Sequence, residues 1–131
     1  MGFEQYHEPA SELSSETRTF ARMIMGVIEE AEAINWYEQR LSVEPDAEAR
    51  AIMKNAQHEE FKHFSMDLEF LLRKIPVWRE LAEGVLFRDG DIVEHGEAAE
   101  AGTDEEDEDA TPEPAGSGGS LGIGSLKGAG L

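Results

Sequence analysis

Between Ser11 and Ser42 the apolar positions keep a regular beat. Leu13, Phe20, Val27, Ile34 and Leu41 recur every seven residues, Ile24 and Ala31 fill the same side, and no proline interrupts the stretch. That repeat predicts a long amphipathic helix with a bundle-like seam. Pro45 and Asp46 end it and suit the first turn of a second helix. Met53, Ala56, Phe64, Leu68 and Leu71 mark the inward side of that helix, which runs from about residue 46 to residue 74. A connection this short forces the two helices to lie antiparallel. Pro76 breaks the second helix, and Val77 to Leu86 read as a short third one with Trp78, Leu81 and Val85 on one face. Residues 1–10 end in Pro9 and Ala10 without any period and read as a loose N-terminal arm.

Composition then divides the chain. Residues 1–88 carry 17 acidic and 10 basic side chains and nearly all the large apolar ones. Residues 89–131 carry 12 acidic residues, one lysine and no aromatic. The first part can bury a core, whereas the second cannot offset its ordering entropy. Residues 11–88 are therefore the expected helical domain and residues 89–120 a disordered, self-repelling acidic linker. Residues 121–131, LGIGSLKGAGL, are nearly uncharged and form a separate terminal segment. The fold class is all-α: an antiparallel two-helix hairpin with a short C-terminal helix and an acidic tail. A folded unit of about 85 residues has a marginal core by itself, and oligomerisation is a common remedy.

The formal charge of −18 argues against nucleic acid and against an anionic membrane surface, and suits a metal cation as partner. With no cysteine, neither a disulfide frame nor a thiolate site is available. No apolar run approaches the roughly 18 residues of a membrane span, and the N-terminus lacks a signal-peptide layout. The chain reads as soluble and intracellular.

Three polar residues occupy seam positions. Glu30 lies three residues after Val27 and four before Ile34; Glu60 follows Ala56 by four, and His63 follows it by seven. A carboxylate on an apolar seam must be protonated, paired or metal-bound. A Glu and a His three apart on one helix converge, and such a pair suits Fe, Mn or Zn. Glu-x-x-His by itself is weak, since about 0.7 matches are expected by chance here. Glu4 and His7 also match it, within the aperiodic arm. Di-metal sites in four-helix bundles take one Glu from each of two helices and a Glu-x-x-His from each of the other two. This hairpin holds half of that set, and a two-fold dimer would complete it.

Over these residues the sequence resembles the encapsulated ferritins. The likeness lies in Glu29-Glu30-Ala31-Glu32-Ala33-Ile34-Asn35-Trp36-Tyr37-Glu38-Gln39-Arg40, in His58-Glu59-Glu60-Phe61-Lys62-His63, and in Leu121-Gly122-Ile123-Gly124-Ser125-Leu126-Lys127-Gly128. The resemblance implies dimers forming a ferritin-like four-helix bundle, with an iron-oxidising centre of two Fe at each dimer interface. Glu30, Glu60 and His63 match its ligands, Tyr37 a tyrosine beside it, and Glu29 and Glu32 outer carboxylates that guide iron inward. It further implies a homodimer assembling into a ring of ten chains, a cytoplasmic location inside an encapsulin shell that stores the mineral, and a C-terminal targeting peptide. The alternative from another class is a non-catalytic metal-binding or scaffold dimer, packaged in a shell. In that reading Glu29, Glu32 and Glu59 are an ordinary solvated face.

Overall fold

The structure, a computed structural model, describes residues 5–109, and of residues 105–109 the backbone only. Among the described residues four α-helices follow a 3₁₀ turn at Ala10–Glu12: α1 (Ser15–Val43), α2 (Ala47–Lys74), α3 (Pro76–Val85) and α4 (Ile92–Asp109). The all-α class agrees with the apolar periodicity. The chain divides into two compact units, Met1–Leu71 and Leu72–Leu131.

In the first unit, α1 begins four residues later than the periodicity alone suggests. Ser14 caps it, its hydroxyl accepting a hydrogen bond from the Thr17 amide at 3.1 Å. A side-chain cap of this kind satisfies one of the free amides of the first turn and so fixes the start. At the far end Glu44 leaves the helix in an extended conformation ahead of Pro45. The Asp46 carboxylate then accepts from the Ala49 amide at 2.8 Å, opening α2. The Arg50 guanidinium reaches back across the turn to the carbonyls of Leu41 and Glu44. The helices run antiparallel, since Ile34 and Glu38 meet Gln57 while Gly26, two turns back, meets Asp67. Gln57 is buried, and its amide donates to the Ile34 carbonyl at 3.2 Å and to Glu38 Oε2 at 2.9 Å. A buried amide donor without such partners would carry a desolvation cost of about 1–3 kcal/mol.

The second unit departs from expectation. Residues 89–120 read as a disordered linker, yet α4 occupies Ile92–Asp109 within them. Its physical basis is local and tertiary together. Asp91 caps it by accepting from the Glu94 amide at 3.0 Å, and the Glu97-Ala98-Ala99-Glu100-Ala101 run is strongly helix-forming. The helix then lies against α3 at a point where there is almost no room: a Cβ on Gly84 would stand 2.5 Å from that of Ala99. Between α3 and α4, Phe87 takes a positive φ of 60° and Gly90 one of 105°. The remainder of the expected linker, residues 110–120, lies outside the described residues.

Little of this is closed off from solvent. Among the described residues Leu71 and Leu72 are the buried apolar side chains, while Trp36, Ile52, Phe61 and Met66 of the hairpin stand exposed. No helix among them is long and apolar enough to cross a membrane.

Candidate metal centre

The centre of the hairpin brings three of the expected residues together. Glu30 on α1 faces Glu60 and His63 on α2, and one ligand atom from each lies within 4.8 Å of the others. His63 Nδ1 stands 3.9 Å from Glu60 Oε2, and the two side chains keep 46% and 26% of their surface exposed. The i, i+3 spacing aligns this pair on α2, and the antiparallel crossing carries Glu30 to it. Two carboxylates and an imidazole, partly open to one side, form a donor set that a divalent transition metal accepts while retaining free positions.

Glu30 is the perturbed member. Its pKa is raised from 4.5 to about 7, first by burial, then by a hydrogen bond with the Asp67 carboxyl, and further by the charges of Asp67, Glu60 and Glu29. Its Oε2 is buried and receives no hydrogen bond from any N–H or O–H of the described residues. Two carboxyls hydrogen-bond only through a proton that one of them carries, so an orphan oxygen and a raised pKa are two aspects of one arrangement. A cation placed among Glu30, Glu60 and His63 would relieve both.

The other sequence candidates lie at varying distance from this cluster. Tyr37 is half-buried two turns along α1 and carries the Arg40 guanidinium over its ring, 5.3 Å from the centroid. Glu29 and Glu32 are exposed on α1. Glu59 is held by Lys62 in an exposed i, i+3 ion pair, and this contact lowers its pKa. His7 is exposed, and Glu4 lies outside the described residues. So do Leu121, Gly122, Ile123, Gly124, Ser125, Leu126, Lys127 and Gly128. Asp67 escaped the sequence reading although it carries a signal: it follows Glu60 by seven residues and His63 by four, and so shares their stripe.

Comparison with known proteins bears on this site. Residues 5–89 match the model of the EncFtn-like family. An encapsulated ferritin-like protein of Rhodospirillum rubrum is 41% identical over 122 residues, 93% of this chain and 87% of that protein. A ferritin-like protein of Thermotoga maritima is 40% identical over 101 residues, covering 77% and 89%. Among solved structures, that of a Nitrosomonas europaea protein superposes with a TM-score of 0.65 at 38% identity, over 66% of this chain and 96% of its own.

Proposed function

Since this chain belongs to the EncFtn-like family, we propose that it is a ferroxidase whose substrate Fe(II) is held by Glu30, Glu60 and His63. The observation that carries the reading is the convergence of those three ligand atoms within 4.8 Å in a hairpin that has only half of a four-helix bundle's donors. A two-fold partner would bring a second copy of each and hold two iron ions at the interface. The two Fe(II) would each give up one electron and become Fe(III), and dioxygen would take the pair of electrons with two protons from water, reaching the level of peroxide.

The protein's own contribution is coordination chemistry. Hard carboxylate oxygens favour Fe(III) over Fe(II), and so favour the loss of the electron. Glu30 must release its proton to bind iron, and the incoming charge drives that release. Tyr37, Glu29 and Glu32 lie on the same helix; Tyr37 flanks the centre, and the two glutamates form an acidic approach that concentrates cations.

We assign residues 121–131 as a targeting peptide that seats the protein in an encapsulin shell within the cytoplasm, with the chains arranged as dimers in a ring of ten. Support comes from the length of the Rhodospirillum rubrum match. The match spans 122 of the 131 residues and so continues well past residue 89, where the match to the family ends. That relative is named as encapsulated.

Aerobic Fe(II) oxidation by the purified protein, followed by ferric absorbance against a protein-free control, tests the activity. A rate equal to the control would leave a non-catalytic metal-binding dimer in its place.

A further inference from the structure

Asp67 meets Glu30 of the candidate metal centre, and no role has yet been given to it. Three observations locate it. It lies on the Glu60–His63 stripe of α2, its carboxyl meets that of Glu30, and it rests against α1 where Gly26 has no side chain. A Cβ built on Gly26 would stand 2.5 Å from Asp67 Oδ2, closer than real atoms approach. Gly26 is also the sole glycine of α1, a helix in which it otherwise costs stability. The missing side chain therefore makes a notch that the Asp67 carboxyl fills.

The notch lies where Glu30 would go astray. Helical side chains lean toward the N-terminus of their helix, over the residue four positions earlier. For Glu30 that residue is Gly26. Without the Asp67 carboxyl seated there to meet it, Glu30 is free to fold back along α1 and away from Glu60 and His63. We infer that Asp67, seated in the Gly26 notch, is a positioning residue that holds the Glu30 carboxylate extended toward Glu60 and His63. It acts through Glu30 and does not itself ligate the metal.

This inference rests on the proposed metal site, and the test separates the two. The full-length protein is titrated with Co(II) alone at one pH, by calorimetry and by the visible absorption of the bound ion. His63→Ala comes first: binding that it leaves unchanged would remove the site and, with it, any role for Asp67. Where His63→Ala weakens binding, Asp67→Ala should weaken it by about 10–100-fold and shift the Co(II) band, whereas Asp67→Asn, of the same shape, should stay within about threefold of the parent. Gly26→Ala should resemble Asp67→Ala by expelling the carboxyl from its notch. The double variant Gly26→Ala/Asp67→Ala should then be no weaker than Asp67→Ala, because both changes remove one interaction. Parental affinity in Asp67→Ala overturns the inference; so does an additive double variant, and so does Asp67→Asn binding as weakly as Asp67→Ala. Circular dichroism reports folding, and should Asp67→Ala not fold, Gly26→Ala beside Asp67→Asn decides. Weak binding in the first with parental binding in the second upholds the role, and parental binding in Gly26→Ala ends it.

Discussion

Glu30 links the protein's stability to its chemistry. A carboxyl whose pKa rises from 4.5 to about 7 on folding binds its proton more tightly in the native state. Its contribution to stability is therefore complete below pH 4.5 and is lost as the pH climbs through 7. The metal-free protein should thus lose part of its thermal stability between pH 5 and pH 8, and Glu30→Gln, which cannot ionise, should flatten that slope. Parallel pH–Tm curves for the two proteins would refute the assignment. The same proton opposes metal, so Co(II) affinity should fall by about tenfold per pH unit below 7 and level off above it. At the proposed ligands, Glu60→Ala and His63→Ala should lower iron oxidation by more than the 10–100-fold usual for an outer-shell change, with the far-ultraviolet dichroism of the parent retained. Loss of helicity in either would show that it serves packing. These three residues were legible in the sequence because a polar side chain on an apolar seam contradicts its surroundings. Asp67 shares their stripe and so was legible as a position, but its relation to Glu30 was not, because that depends on Gly26, 41 positions earlier in the chain.

Among the elements, legibility followed the reach of the interactions that define each one. The second and third helices start and stop within one residue of their expected limits, since Pro45, Asp46 and Pro76 act locally. The start of α1 was displaced by the Ser14 cap, a one-turn effect that the heptad rhythm overrode on paper. Helix α4 was read as linker because its acid-rich, aromatic-free composition resembles that of a solvated tract. What identifies it is a close approach: Ala99 fits against Gly84, and Gly96 lies 4.0 Å from Val85 Cγ2 if given a Cβ. Gly84→Val should therefore prise α4 from α3, at a cost of about 1–3 kcal/mol typical of overpacking. Hydrogen exchange should quicken through residues 92–104 while the hairpin amides of α1 and α2 keep their protection. Unchanged protection in α4 would mean that the Gly84–Ala99 contact is dispensable.

At the scale of the whole molecule the exposed apolar surface and the clustered carboxylates make opposite demands. Met66, Ile52 and Trp36 keep 62%, 67% and 51% of their surface in water although they sit on the hairpin. Covering such area contributes about 25 cal/mol per Å² and draws chains together. If two copies meet around the metal centre, however, Glu30 and Glu60 of one face their counterparts, and like charges in contact resist the union. A divalent ion removes the resistance. Association should then depend on metal: native mass spectrometry near neutral pH should find mainly small species in chelator and a shift to larger oligomers with Co(II) or anaerobic Fe(II). The two contributions can be separated by substitution. Glu30→Gln with Glu60→Gln abolishes the repulsion without supplying a metal, so this variant should associate in chelator to the extent that the parent does with Co(II). Met66→Glu should weaken association in every condition, because it acts on the apolar contribution alone. If the parent shows the same mass distribution with metal and with chelator, assembly is driven by apolar contact and the centre merely fills afterwards. If the Gln pair stays small in chelator, the metal joins the chains by coordination and not by relieving charge.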